Sequence, residues 1–161
     1  MIFVIPAIRE RMTHRHREIL LVEDNPADQA LCREAFSELG SDILLTIAGS
    51  GPEALRILEQ RREGLLGSAL PSLLLLDIQL PGISGLEVLS RVRADPALTL
   101  LPVLILTTSQ HLRDVQEAYR LRANAYLVKP FDYEDLRRLM QRTVEFWLDS
   151  VVAPAPVQAE A

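Results

Sequence analysis

The sequence is poor in three features that would place it in other classes of protein. Cys32 is its single cysteine, so neither an internal disulfide nor a C-x-x-C metal pair can form, and a reducing compartment is expected. No apolar run approaches the roughly 20 residues of a membrane helix, and the apolar start, Ile2 to Ile8, is too short for a signal peptide. The net charge is −5, which argues against attraction to nucleic acid. We expect a cytoplasmic protein that binds neither membranes nor nucleic acid directly.

The remaining composition is that of a globular protein. Hydrophobic residues make up 48% and charged residues 24% of the 161 positions, which suits one domain with its own core. We place this domain at 18–150, after a flexible N-terminal tail, 1–17, and before a Pro- and Ala-rich tail, 151–161. The first tail is rich in Arg and His and is either a basic arm for an acidic partner or, as is commoner, a solvated segment. Met12 is a second candidate start, so the sequence leaves open whether residues 1–11 belong to the natural protein.

Short apolar runs alternate with helical patterns along the domain. The run Leu73 to Leu76 is apolar at every position, which is typical of a central parallel strand covered on both faces. The helix predicted after the first strand ends at Gly40 and carries an apolar residue at each turn: Ala27, Leu31, Ala35 and Leu39. The five predicted strands are Ile19–Val22, Ile43–Ile47, Leu73–Leu76, Val103–Leu106 and Tyr126–Val128. Five strands alternating with five helices predict an α/β fold in which helices cover both faces of a parallel sheet.

Helix-start signals support this alternation. Ser50 and Glu53 form one capping box and Ser84 and Glu87 form another. Asp132 is placed to cap the last helix, which we expect to run to about residue 149.

Polar side chains follow the predicted strands at their carboxyl ends, the edge at which open parallel sheets bind ligands. They are Glu23, Asp24, Asp77, Thr107, Thr108 and Lys129. Such a cluster of carboxylates needs a counter-charge, which a divalent cation with oxygen ligands and a lysine can supply. Both can stabilise a transferring phosphoryl group, and Asp77, after the most buried strand, is the expected nucleophile.

Each of these residues also has a simpler explanation. Asp24 can start a turn, Asp77 can end a strand, either threonine can cap the next helix, and Lys129 can be a surface residue. The occurrence of all of them at one end of their strands favours the phosphoryl site. Pro130 keeps Lys129 in an extended conformation, while the peptide bond between them could be cis or trans.

Four segments resemble the receiver domain of two-component response regulators over about residues 18–147. They are Leu20-Leu21-Val22-Glu23-Asp24-Asn25, Leu75-Leu76-Asp77-Ile78-Gln79-Leu80-Pro81-Gly82, Leu106-Thr107-Thr108-Ser109 and Tyr126-Leu127-Val128-Lys129-Pro130-Phe131. The resemblance implies a flavodoxin-like, doubly wound sheet in the order 2-1-3-4-5. It also implies a protein that is no conventional enzyme but assists its own phosphotransfer and autodephosphorylation.

The resemblance assigns roles to single residues. Asp77 corresponds to the phosphoacceptor, Thr107 to the switch hydroxyl, Lys129 to the lysine that pairs with the phosphoryl group, and Tyr126 to the switch aromatic. The metal, Mg²⁺ or Mn²⁺, would be held by Glu23, Asp24, Asp77 and the main-chain carbonyl of Gln79. For Tyr126 the alternative is a half-buried strand aromatic.

Two further segments resemble the small regulators that pair with bacterial and cyanobacterial phytochrome kinases. They are Glu-Asp-Asn-Pro-Ala-Asp at 23–28 and the run Phe146, Trp147, Leu148. A red-light-sensing histidine kinase is then the expected partner. Successive helical residues point about 100° apart, so three bulky neighbours span too wide an arc for one small core. We expect them to contribute to a homodimer or partner contact, the alternative being a broad face that covers its own domain.

Other functions fit the sequence less well. A phosphatase with an Asp nucleophile needs a second acid two positions on, where this chain has Gln79. A P-loop enzyme needs a G-x-x-x-x-G-K-[ST] motif, which is absent. A pseudo-receiver that only binds partners is disfavoured by the full residue set. The sequence after Trp147 is too short for a helix-turn-helix, so output is expected through protein contacts or a phosphorelay.

Overall fold

The computed structural model describes residues 17–64 and 69–152. The predicted tails, 1–17 and 151–161, lie outside these ranges except for Arg17, Val151 and Val152. None of the helices in the described part of the chain combines the length and the apolar character needed to cross a membrane.

Five parallel strands form one sheet in the order β2-β1-β3-β4-β5. Their bounds are Glu18–Val22 for β1, Leu44–Ala48 for β2, Leu73–Leu76 for β3, Val103–Thr107 for β4 and Ala125–Val128 for β5. The register places Leu21 beside both Ile47 and Leu75, and Ile105 beside both Leu76 and Tyr126. The predicted strand order and the parallel arrangement are confirmed, and the strand bounds differ from prediction by one residue at most at each end.

Five helices connect and follow the strands. Their bounds are Pro26–Ser37 for α1, Gly51–Arg62 for α2, Gly85–Ala94 for α3, Leu112–Arg120 for α4 and Tyr133–Val144 for α5. A π-helical turn, Glu145–Ser150, continues α5, so the last helix reaches the predicted length with a wider final turn.

The helices divide between the two faces of the sheet. Residues of α1 and α5 pack on one face, and residues of α2, α3 and α4 pack on the other. The four leucines of β3 are fully buried, because helices cover this central strand on both sides. The burial of all four leucines confirms the prediction that this strand is covered on both faces.

One predicted helix face is only partly right, because Ala35 and Leu39 contact the core but Ala27 and Leu31 are exposed. The residues of α1 that are buried are Cys32, Ala35 and Phe36, whereas Leu31 is 39% exposed. Each helical residue turns the chain by about 100°, so residues four positions apart are about 400° apart, which is one turn and about 40° more. Residues chosen at every fourth position therefore rotate step by step away from the face that meets the sheet. The helix also ends at Ser37 and not at Gly40, which lies in the following turn with a φ of 137°.

The cap signals are largely confirmed. The side chains of Ser50, Ser84 and Asp132 each accept a hydrogen bond from the amide three residues on. The carboxylate of Glu53 accepts from the amide of Gly49 at 2.7 Å, one residue before the position that a standard capping box uses. Each of these helices therefore begins where the sequence predicts.

Candidate functional site

The carboxyl ends of β1, β3 and β5 bring three of the predicted residues into contact. The ammonium nitrogen of Lys129 lies 2.8 Å from Asp77 Oδ2 and forms a short ion pair with Glu23. All three residues are buried, although 106 positions of sequence separate Glu23 from Lys129. The amide of Lys129 donates to the carbonyl of Thr107 at 2.8 Å, which ties the lysine to the neighbouring strand. The described part of the chain contains no cis peptide bond, so the Lys129–Pro130 bond is trans.

Asp77 is held by main-chain contacts as well as by the lysine. Its amide donates to the carbonyl of Val22 at 3.1 Å, and its Oδ1 accepts from the amide of Gln79 at 2.9 Å. The carboxylate is thus fixed with one oxygen toward the lysine and the other toward the following loop. A carboxylate that is preset in this way loses little freedom when it attacks an electrophile.

Burial shapes the electrostatics of the ion pair. Burial raises the pKa of Glu23, an effect that hydrogen bonds from Lys129 and from the amide of Asn25 oppose without cancelling. Burial lowers the pKa of Lys129, but its hydrogen bonds to Asp77 and Glu23 outweigh burial, so the pKa is raised above its usual value. Lys129 therefore stays a cation at neutral pH, ready to offset charge on a phosphoryl group.

Asp28 also contacts the lysine, a contact that the sequence analysis missed. Its Oδ2 lies 3.1 Å from Lys129 Nζ. Asn25 caps α1 by accepting from the amides of Ala27 and Asp28, so Asp28 lies in the first turn at the same edge of the sheet. The signal in the sequence was a third acid just after a strand-ending acidic pair, at the start of the next helix.

Asp24 and Thr107 make no contact with the ammonium group. Asp24 is exposed, and its carboxylate forms no hydrogen bond or ion pair with the rest of the described chain. Thr107 is fully buried, and its hydroxyl oxygen accepts from the amide of Ser109 at 3.4 Å. Neither Thr107 nor Thr108 caps α4, whose N-cap residue His111 makes no side-chain cap bond. The simpler explanation for the threonines, as helix caps, is therefore wrong.

A hydrogen bond between two exposed side chains borders the site. The hydroxyl of Thr108 donates to the side-chain oxygen of Gln79 at 2.9 Å, which links the loop after β3 to the loop after β4. The two loops that flank Asp77 are thus joined on the solvent side.

Tyr126 connects the site to α4 through Ser109. The tyrosine is half-buried, and its hydroxyl donates to the carbonyl of Ser109 at 3.1 Å. Burial raises the pKa of this hydroxyl. The Ser109 hydroxyl in turn donates to Asp114 in the first turn of α4 at 2.6 Å. A chain of polar contacts therefore runs from the end of β4 to the start of α4.

The C-terminal aromatic run is divided between the core and the surface. Leu148 is 5% exposed and packs in the core, whereas Phe146 is 56% exposed. The rings of Phe146 and Trp147 meet edge to face, with centroids 5.3 Å apart. The partner contact predicted for all three residues therefore narrows to Phe146 and the exposed part of Trp147, because the side chain of Leu148 is used within the domain.

The residues at this edge of the sheet offer a divalent cation only a few protein ligands. Within residues 17–64 and 69–152, no group of three or more His, Cys, Asp or Glu side chains is arranged to hold a metal ion. The oxygens of Glu23 are already engaged by Lys129 and by the amide of Asn25. Each oxygen of Asp77 likewise accepts one hydrogen bond, from Lys129 or from the amide of Gln79, and keeps a second lone pair. The Asp24 carboxylate is exposed. Mg²⁺ commonly takes one or two carboxylates and fills its other positions with water and phosphate.

Comparison with known proteins identifies the family. Residues 19–141 match the model of the response regulator receiver domain. The chain is 40% identical over 138 residues to the probable methanogenesis regulatory protein FilR2 of Methanothrix harundinacea, covering 86% of this chain and 88% of that protein. It is also 40% identical over 137 residues to the response regulator Rcp1 of a Synechocystis species, covering 85% of this chain and 92% of Rcp1.

Solved structures agree with this assignment. The crystal structure of the phosphorylated cyanobacterial phytochrome response regulator RcpA superposes with a TM-score of 0.80 at 35% identity, covering 88% of this chain and 100% of RcpA. The Mn²⁺-bound form of Rcp1 superposes with a TM-score of 0.77, covering 86% of this chain and 99% of Rcp1. The order of the strands, the carboxylates and lysine at their carboxyl ends and these similarities lead to one conclusion: the chain belongs to the response regulator receiver domain family.

Proposed function

We propose that this protein is a single-domain response regulator that accepts a phosphoryl group from a histidine kinase on Asp77. The contact that supports this most directly is the 2.8 Å ion pair between Lys129 Nζ and Asp77 Oδ2, both in a buried position. The lysine orients the carboxylate and provides a fixed positive charge beside the point of attack. Output would come through protein contacts or through transfer of the phosphoryl group to another protein.

The residues divide the chemistry among them. A carboxylate oxygen of Asp77 attacks phosphorus, the bond between phosphorus and the kinase histidine breaks, and the histidine nitrogen leaves with that electron pair. Asp24, Asp77 and the carbonyl of Gln79 would hold Mg²⁺ or Mn²⁺, which offsets charge on the phosphoryl oxygens when bound. Lys129 shares that task, and the hydroxyl of Thr107 is the donor that would turn to the phosphoryl group afterwards.

The expected partner is a phytochrome-type histidine kinase. The support is the similarity to Rcp1 and RcpA, of which the latter is described as a cyanobacterial phytochrome response regulator. The chain also superposes on the bacteriophytochrome response regulator AtBRR with a TM-score of 0.67 at 35% identity. Light signalling is the proposed context on this ground.

Phosphorylation by acetyl phosphate, read by intact mass, tests the function. With Mg²⁺ present, we expect one phosphoryl adduct on the wild type and none on Asp77→Asn. Asp135→Asn is the matched control, because this carboxylate is exposed on α5 and pairs with Arg138, and it should be phosphorylated like the wild type. Absence of an adduct on the wild type would favour the alternative, a pseudo-receiver that binds partners without being phosphorylated.

Phosphorylation would change the face formed by Tyr126, α4 and α5. The support is the polar chain from Thr107 through Ser109 to Tyr126 and Asp114. Amide exchange measured with and without beryllofluoride, a phosphoryl mimic, should differ on this face. Equal exchange in both states would contradict this switch.

We also propose that Phe146 and Trp147 contribute to a homodimer. Phe146 leaves more than half of its surface exposed and Trp147 is half-buried, and aromatic residues are enriched at contact surfaces. Phe146→Glu should lower the dimer fraction measured by analytical ultracentrifugation. Leu100→Glu is the control, because Leu100 is an apolar residue of similar exposure in the loop between α3 and β4. An equal effect of both substitutions would count against the contact.

A further inference from the structure

The ammonium group of Lys129 has no donor left over for a phosphoryl oxygen. A lysine ammonium carries three N–H groups and accepts no hydrogen bond. In the structure it contacts three carboxylates, those of Glu23, Asp77 and Asp28. A phosphoryl group that is to be bonded by Lys129 must therefore displace one of these acceptors.

The three acceptors differ in how easily they can be released. The side chains of Glu23 and Asp77 are 2% and 7% exposed, whereas that of Asp28 is 34% exposed. The buried Glu23 carboxylate would carry a large desolvation penalty on losing its partner, because water cannot replace the lost hydrogen bond. Asp77 carries the phosphoryl group itself, so Lys129 has to stay beside it to reach a phosphoryl oxygen. Asp28 can turn to solvent and be rehydrated. Its contact, at 3.1 Å, is also longer than the other two.

The Asp28 carboxylate can leave Lys129 without a change in the backbone of α1. Asn25 accepts hydrogen bonds from the amides of Ala27 and Asp28, so the first turn of α1 keeps its cap when the Asp28 carboxylate moves. Lys129 is the ion-pair partner of Asp28 within the described chain. A change of side-chain conformation at Asp28 therefore breaks one contact and leaves the backbone in place.

We propose that Asp28 is a positioning residue that holds Lys129 in the unphosphorylated state and is displaced when a phosphoryl oxygen takes its N–H group. This role rests on the proposed function, since it concerns the same reaction at Asp77. Asp28 competes with the phosphoryl group for the lysine. Its removal should therefore tighten the binding of a phosphoryl mimic, whereas the loss of a merely structural contact would weaken it.

Beryllofluoride titration at saturating Mg²⁺ tests this competition. We expect Asp28→Ala to bind the mimic about fivefold more tightly than the wild type, the size of effect expected from one partly exposed ion pair. Asp28→Asn should lie between the two, because an amide oxygen still accepts from Lys129 but carries no charge. Unchanged or weaker binding in both variants, while the wild type binds, would overturn the proposal and leave the proposed function standing.

A general effect of charge is separated by a matched control and a double substitution. Asp132→Asn removes one negative charge from the loop after β5, where asparagine still caps α5, and Asp132 does not contact Lys129. It should change the affinity by less than about twofold. In a Lys129→Met background, Asp28→Ala should no longer tighten binding. An equal gain from Asp132→Asn, or a gain that persists without the lysine, would overturn the proposal.

Two further readouts complete the test. The Mg²⁺ affinity without beryllofluoride should be the same for Asp28→Ala and the wild type within about twofold, because Asp28 pairs with Lys129 and is not one of the residues proposed to hold the metal. A large loss of Mg²⁺ affinity would make Asp28 a metal ligand and overturn its role toward Lys129. Failure of the wild type to bind beryllofluoride and to form an adduct with acetyl phosphate would overturn the proposed function, and the role of Asp28 with it.

Discussion

Gly85 leaves room for the main chain of Asp77. A Cβ atom at Gly85 would overlap the carbonyl oxygen of Asp77 and would lie 2.7 Å from the Cα atom of Ile78. The amide of Gly85 also donates to the carbonyl of Ile78 at 3.2 Å. The start of α3 thus packs directly on the backbone that carries the proposed phosphoacceptor.

Gly85→Ala should destabilise the domain and impair phosphorylation together. The added methyl group meets backbone atoms, which cannot rotate away, so we expect the free energy of unfolding to fall by about 3 kcal/mol. Urea unfolding measures the stability, and intact mass after acetyl phosphate treatment measures phosphorylation. Gly49→Ala is the control, because its Cβ would lie 3.6 Å from Glu53 Oε2, an ordinary contact distance. Comparable losses in both variants would show that the crowding at Asp77 is not the cause.

The sequence predicts the sheet well because three of the strands carry two independent signals. The run at β3 is apolar throughout, and the residue that follows it, Asp77, is polar and marks the strand's carboxyl end. The same holds for β1 and β5, which end before Glu23 and Lys129. Since parallel strands present these ends at one edge, the contact between Glu23, Asp77 and Lys129 could be predicted without coordinates.

The remaining features depend on packing that a linear pattern does not contain. Asp28 and Lys129 are 101 positions apart, and their contact requires a particular rotation of α1 against β5. The same rotation decides that Leu31 is exposed and Phe36 is buried. On α4, Leu112 and Tyr119 are apolar yet 69% and 52% exposed, which the sequence pattern alone does not show.

Removing one partner of a buried ion pair at the amino ends of the strands should be costly for stability. Glu18 is 1% exposed, and its Oε1 lies 2.6 Å from Arg61 Nη2 and accepts from the hydroxyl of Thr46 at the same distance. Glu18→Gln leaves the arginine without its counter-charge, and we expect a loss of about 3 kcal/mol in the free energy of unfolding by urea. Replacing both residues, Glu18→Met with Arg61→Met, should recover much of the loss.

Glu87→Gln serves as the comparison for that ion pair. Glu87 pairs with Arg91 on the exposed face of α3, and such pairs contribute about 0.5 kcal/mol or less. If Glu18→Gln were no more destabilising than Glu87→Gln, the burial of the Glu18–Arg61 pair would not determine the cost of breaking it.

Ser109 should stabilise the start of α4. Its hydroxyl accepts from the amide of His111 at 3.3 Å and donates to Asp114, which compensates for the missing side-chain cap at His111. In Ser109→Ala we expect amide exchange in the first turn of α4 to be roughly fivefold faster, since a hydrogen bond of this kind contributes about 1 kcal/mol. Ser90→Ala, at an exposed position of α3, should leave exchange in α4 unchanged. Equal exchange in all three proteins would exclude this capping role.

The contact between α1 and α5 should weaken in strong alkali because of one tyrosine. Partial burial and the hydrogen bond from the Tyr133 hydroxyl to Glu38, at 3.0 Å, raise the pKa of Tyr133 from 10.0 to about 12. A pKa that is higher in the folded than in the unfolded state means that the contribution to stability is complete below pH 10.0 and is lost as the pH rises through about 12. The stability difference between the wild type and Tyr133→Phe should shrink over that interval. In an alkaline titration followed by tyrosinate absorbance, Tyr133→Phe should lack the component that titrates near pH 12. Loss of a component near pH 10 instead would show that Glu38 does not hold the proton on this hydroxyl.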